Sequence, residues 1–201
     1  MTTALSNSLQ ALISKAAEQS SAGEVSRLTQ RQQGTTPHVV ILADASSSMA
    51  ESAGTRSKIE LVREALAQVW PQLAQGCLFA FASTVQALDS PYALLHPNGG
   101  TALHLALEAA QRLSPQQTLI ISDGRPDSEE AALAAADYLT GHIDVIYCGP
   151  GDDTEAITFL QRLARSTGGR YISTPRLAAG RLNLLAPVQR LLLVEGPCVT
   201  S

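Results

Sequence analysis

Short apolar runs alternate with helix-patterned stretches along this chain, and that alternation restricts the fold more than any other feature of the sequence. The runs are Val39–Ala43, Cys77–Ala82, Val85–Leu88, Thr118–Ser122, Ile143–Cys148 and Arg170–Ser173. Helical periodicity is expected over Lys58–Gln72, Thr101–Leu113, Ser128–Leu139, Thr154–Ser166 and Gly180–Leu193, the last interrupted near Pro187. Strands separated by helices of this length form a parallel sheet covered on both faces. The exception is the link Ser83-Thr84, which is too short for a parallel crossover, so the second and third strands form an antiparallel hairpin. With right-handed crossovers the natural strand order is 3-2-1-4-5-6. The expectation is therefore a doubly wound, Rossmann-like α/β fold. It has a mostly parallel six-stranded sheet, one antiparallel edge strand, and helices on both faces.

Composition narrows the function classes. The chain has 201 residues and 45% hydrophobic content, enough for one sizeable core. A net charge of −4 gives no basic footprint for nucleic acid. Apolar runs fall well short of a membrane span, and the N-terminus lacks the basic-then-apolar pattern of a secretory signal. Three cysteines, Cys77, Cys148 and Cys198, with no CxxC spacing, read as reduced thiols of a cytoplasmic protein. In the expected strand order, Cys77 and Cys148 lie too far apart for a disulfide.

Oxygen-bearing residues gather at the ends of the expected strands. Asp44-Ala45-Ser46-Ser47-Ser48 follows the first strand, and Asp123-Gly124 follows the fourth. Asn98-Gly99-Gly100 delivers Thr101 to the start of an Ala/Leu-rich helix. Two carboxylates and three hydroxyls suit a hard divalent cation such as Mg²⁺, with Mn²⁺ or Ca²⁺ also admitted. In the expected order the first and fourth strands are neighbours, and the direction of sheet growth reverses between them. Open α/β sheets bind ligands at such a switch point, outside the carboxyl ends of the strands. Each piece also has a plainer reading: Ser46–Ser48 as a polar capping loop, Thr101 as an N-cap, Asp123-Gly124 as a turn.

Taken together, these residues resemble a von Willebrand factor type A domain. Asp44-x-Ser46-x-Ser48, Thr101 and Asp123-Gly124 match the five ligand positions of that family's metal-ion-dependent adhesion site, and the similarity extends over His38 to Ser173. Ser47 stands where many members carry Gly, and would be strained if the position demands positive φ. The resemblance implies direct metal ligation by Ser46, Ser48 and Thr101, with Asp44 and Asp123 acting mostly through bound waters. It further implies an open coordination position that takes a Glu or Asp carboxylate from a partner protein. Bacterial intracellular members often work in multiprotein complexes beside ATPases, which extends the expectation to such a complex here.

Other readings are weaker. Walker A, GxSxG and GxGxxG signatures are absent from the sequence. A haloacid-dehalogenase-like phosphotransferase would need a second carboxylate two residues after Asp44, where Ser46 stands. The chain is therefore expected not to be an enzyme, with a metal-dependent hydrolase or phosphatase on a related fold as the alternative. His38, His96, His104 and His142 show no ligand spacing, and His104 is placed at the rim. Asp127-Ser128-Glu129-Glu130 suits the start of a helix, where acidic groups favour the dipole, or adds negative charge near the metal. Gly149-Pro150-Gly151-Asp152-Asp153 reads as a turn with an N-cap, or as a rim loop. By domain, residues 1–36 are an amphipathic helix with Leu5, Leu9, Leu12 and Ile13 on one side, followed by a Ser/Gln/Gly-rich linker. That helix either packs on its own domain or docks elsewhere. Residues 37–175 form the main domain, and 176–201 a final helix and a loose tail.

Overall fold

A computed structural model describes residues 38–73, 75–94, 96–174 and 182–193. The expected N-terminal helix, the linker, the C-terminal tail and Cys198 lie outside the described residues. Six strands form one sheet: β1 (Val39–Asp44), β2 (Gly76–Phe81), β3 (Val85–Leu88), β4 (Gln117–Ser122), β5 (His142–Tyr147) and β6 (Tyr171–Ser173). Their order is β3-β2-β1-β4-β5-β6, as the sequence predicts, and only the β2–β3 pairing is antiparallel. Among the described residues, α1 (Lys58–Val69), α2 (Leu103–Gln111), α3 (Glu129–Ala136) and α4 (Thr154–Ser166) lie between strands, and α5 (Leu185–Leu192) follows β6.

Period-two alternation sorts the strand side chains between two cores. Val40, Leu42, Phe79, Phe81, Ile120, Val145 and Tyr147 face α2, α3 and α4. Ile41, Ala43, Leu78, Leu119, Ile121 and Ile146 face α1 and α5. Both faces of the sheet are thus buried, which is why β1, β4 and β5 read as almost continuous apolar runs.

Local chemistry sets the helix starts. Ser57 and Glu60 head α1, where the Glu60 carboxylate accepts from the Ser57 N–H at 2.8 Å and from its hydroxyl at 3.0 Å. Ser128 caps α3 through Ala131 N–H at 3.2 Å, and Asp153 caps α4 through Ala156 N–H at 3.0 Å. The plainer readings of the Asp127 and Asp152 segments as helix starts therefore hold for Ser128 and Asp153. Four helices are shorter than expected: α2 keeps only Leu103–Gln111, α5 begins at Leu185, and α1 and α3 end early. α1 stops at Val69, and Trp70–Gln72 tighten into a 3₁₀ turn around Pro71. α3 stops at Ala136, and Tyr138 and Leu139 donate three residues back instead. Pro187 does not kink α5. It lies in the first turn, where no intrahelical N–H bond is lost.

Candidate functional site

The site is assembled where β1 and β4 end side by side, with Ala43 paired to Ile121. Asp44, the last residue of β1, is fully buried. Its Oδ1 accepts the Ser46 N–H at 2.8 Å and its Oδ2 accepts the Ser122 hydroxyl at 2.6 Å. Burial pushes its carboxyl up to about 6; the bonds from Ser122 and Ser46 pull against that rise, and the charge on Asp123 adds to it.

Beyond Ser46 the chain turns through a 3₁₀ segment, Ser47–Ala50. Met49, fully buried in the α1-side core, fastens this turn from beneath. Ser46 Oγ and Ser48 Oγ come within 3.1 Å of each other, and Ser48 Oγ donates to Asp123 Oδ1 at 2.7 Å. Ser47 lies in this right-handed turn, so a non-glycine side chain is unstrained there.

The third loop is stitched to the first. Asn98 N–H donates to Ala45 C=O at 2.9 Å, and the Ser47 N–H and hydroxyl both donate to Gly99 C=O, at 3.2 and 3.1 Å. Gly99 has φ +78°, a conformation that glycine adopts without cost. Thr101 is not the helix start or N-cap that the sequence suggests: α2 begins at Leu103, with Ala102 at its N-cap. The Thr101 backbone is instead clamped by Asp127, whose Oδ1 accepts Thr101 N–H and whose N–H donates to Thr101 C=O, both at 3.0 Å. Its backbone is committed to the loop, and among the described residues no hydrogen bond engages its hydroxyl.

Hydrogen bonds therefore tie Asp44, Ser46, Ser48 and Asp123 into one cluster, with Thr101 on the adjoining loop. Sequence reasoning missed two members. Ser122 orients Asp44. Lys58, the first residue of α1, reaches under the Ser46–Ser48 turn, and its Nζ lies 2.6 Å from Asp123 Oδ2, 2.7 Å from Glu51 Oε2 and 3.5 Å from Ser48 C=O. Lys58 and Asp123 are both buried, while Glu51 is exposed. Burial pulls the Lys58 pKa down, but the bonds to Asp123 and Glu51 outweigh it and leave the ammonium above the ordinary lysine value. A cue was present in the sequence: a lysine opens a helix whose positive dipole end disfavours it.

The donor set fits a small hard cation. In an octahedral Mg²⁺ shell with bonds near 2.1 Å, adjacent oxygens lie about 3.0 Å apart. The Ser46 and Ser48 oxygens, 3.1 Å apart, already have that spacing. Among the described residues no group of three or more His, Cys, Asp and Glu side chains could hold a metal, so ligation here would depend on hydroxyls. At the rim, Arg125 pairs with Glu129 and Glu155.

The von Willebrand factor type A family model matches residues 68–172, just over half of the chain. That stretch contains Thr101 and Asp123 and begins after the Asp44–Ser48 loop. No curated protein matches the chain. Similar solved structures include a von Willebrand factor type A protein of Catenulispora acidiphila, with TM-score 0.63 and 18% identity over 78% of this chain and 42% of that one. The SpRpn10 VWA domain aligns with TM-score 0.59 and 14% identity, over 82% of this chain and 100% of that one. The conserved hypothetical protein BatB of Bacteroides thetaiotaomicron aligns with TM-score 0.57 and 18% identity, over 77% of this chain and 95% of that one. Identities this low carry the fold alone, but fold and family model agree: the chain belongs to the von Willebrand factor type A family, whose members generally serve as protein-interaction modules.

Proposed function

We propose that this chain is a metal-dependent protein-binding domain. Ser46, Ser48 and Thr101 ligate a divalent cation, Mg²⁺ with Mn²⁺ or Ca²⁺ also admitted, while Asp44 and Asp123 act mostly through water. When bound, the cation supplies a Lewis-acidic position for a Glu or Asp carboxylate from a partner protein. The observation that carries this reading is the Ser46–Ser48–Asp123 chain of contacts at the β1/β4 switch point, which joins hydroxyls and a carboxylate from two different loops. Asp44 keeps the first loop in shape through the Ser46 N–H, and Ser122 keeps Asp44 in place. The loops Ala50–Arg56, His96–Gly100 and Arg125–Asp127 form the rim that selects the partner. A cytoplasmic multiprotein complex, including one built around an ATPase, is the setting we propose. Among the described residues no helix is long and apolar enough to cross a membrane.

Mg²⁺ or Mn²⁺ is expected to raise the melting temperature slightly, and Asp44→Ala or Ser46→Ala to abolish that increment without unfolding the chain. Equal metal responses in all three proteins would refute the site. Once a partner is in hand, chelator should cut its affinity steeply, because its carboxylate would then face Asp44 and Asp123 with no added cation between them. Thr101→Ala should weaken partner binding more than it weakens folding, measured by calorimetry beside a thermal melt.

A further inference from the structure

Lys58 is a buried positive charge in this site that the proposed function does not use. Its ammonium is buried and bonded at 2.6 Å to Asp123 Oδ2, while Asp123 Oδ1 is taken by Ser48 Oγ at 2.7 Å. Both oxygens of the Asp123 carboxylate are thus engaged within the chain, one by a hydroxyl and one by a full positive charge. A second acceptor, Glu51 Oε2, sits 2.7 Å from the same ammonium and faces solvent. Lysine is a flexible point charge with three rotatable donors, so the one ammonium can hold both carboxylates and shift toward either.

We propose that Lys58 is a tethered counter-cation that competes with the divalent ion for Asp123, and that Glu51 is the acceptor onto which it withdraws when the ion is held. The proposal rests on the metal-site reading above. Three features fit it. Asp123 would otherwise be a buried carboxylate beside buried Asp44, and such a pair needs a positive charge to be tolerated. Lys58 supplies that charge without any ligand. The lysine stands at the helix terminus that least favours a cation, so its placement answers to the carboxylates and not to the helix. And Glu51, on the turn just after Ser48, lets the ammonium leave Asp123 without losing its own partner. A site built this way stays folded without metal, binds metal weakly, and fills when a partner carboxylate adds to the attraction.

Titration of the full chain with Mn²⁺ or Mg²⁺ alone tests this. Lys58→Met removes the competing charge while keeping an unbranched side chain one atom shorter. It is expected to bind Mn²⁺ roughly tenfold or more tighter than wild type, since an adjacent unit charge at short range is worth at least that much. Adding Asp44→Ala to Lys58→Met should erase the gain. Wild type and Lys58→Met binding with equal affinity would overturn the role of Lys58 and leave the metal site standing. No binding by either protein would overturn both. Should Lys58→Met not fold, the ¹³Cε resonance of Lys58 in wild type decides. It is expected to shift as Mg²⁺ is added and to stay still in Asp44→Ala; a resonance unmoved at saturating Mg²⁺ overturns the proposal.

Discussion

Asp44 shows at the scale of one residue how a binding site opposes stability. Its folded pKa of about 6 stands above the ordinary value of 3.8, because burial disfavours the charge more than Ser46 and Ser122 restore it. The folded state therefore holds a proton that the unfolded state gives up between these values. Stability contributed this way is present at low pH and is lost as pH rises through about 6. The gap corresponds to roughly 3 kcal/mol at neutral pH. Asp44→Asn keeps an acceptor for the Ser46 N–H and gains a donor for Ser122 Oγ. In chelator it is expected to melt several degrees above wild type at pH 7.5 and to lose that advantage at pH 4.5. No difference at pH 7.5 would mean that the carboxylate is better compensated than its surroundings suggest. Gly149 makes a contrasting point. A Cβ there would overlap the Asp123 carbonyl oxygen and the Tyr147 hydroxyl. Gly149→Ala is expected to cost on the order of 2–4 kcal/mol in chemical denaturation, and to loosen the β4 end of the site with it.

Among the elements, what was legible in the sequence follows the range of the interactions. The six strands could be read because each is a short apolar run bounded by turn residues, and their order followed from one two-residue link. β3 and α4 even begin and end where expected, at Val85–Leu88 and Thr154–Ser166. The strand-end Asp and Ser residues could be read as a site because their spacing is local. Three things could not. Thr101 leaves the helix because Asp127, 26 residues on, takes its N–H. Lys58 joins the site across 65 residues. Ser122 looked like a strand residue and is one, yet its hydroxyl serves a carboxylate 78 residues away. Tertiary hydrogen bonds leave no periodic trace, so neither pattern nor propensity reveals them. Local signals also make testable claims. Ser57→Ala removes the hydroxyl that donates to Glu60 at the head of α1 and is expected to cost about 0.5–2 kcal/mol. Because Lys58 is the next residue, that loss should also loosen the ammonium's hold on Asp123 and so ease, not weaken, any uptake of a divalent ion there, whereas Ser128→Ala on α3 should cost stability with less effect on the site.

For the molecule as a whole, the sheet order governs which distant residues can meet. Cys77 in β2 and Cys148 after β5 are buried thiols held apart by β1 and β4. Burial lifts the Cys148 thiol well above its usual range, the nearby carboxylates adding to it. Both are expected to resist a thiol reagent in the native protein and to react together on denaturation; a disulfide between them would contradict the strand order. The α1-side core depends on residues far along the chain. Leu182, Leu184, Val188 and Leu191 are buried against it, and Gln117 Nε2 donates to the Leu191 carbonyl at 3.0 Å. A chain ended at residue 175 is expected to melt markedly earlier, since each such side chain contributes about 1.5–3 kcal/mol by its burial.

That placement of α5 also sets a schedule for the growing polypeptide. β1 sits in the middle of the sheet, and its second neighbour, β4, is made more than seventy residues after it. The last part of the cover over one face arrives later still, with residues 182–193. During synthesis the strand that carries Asp44 therefore waits, apolar and half-paired, for most of the chain to leave the ribosome. This is the interval in which such a surface is most exposed to chaperones and to its own neighbours.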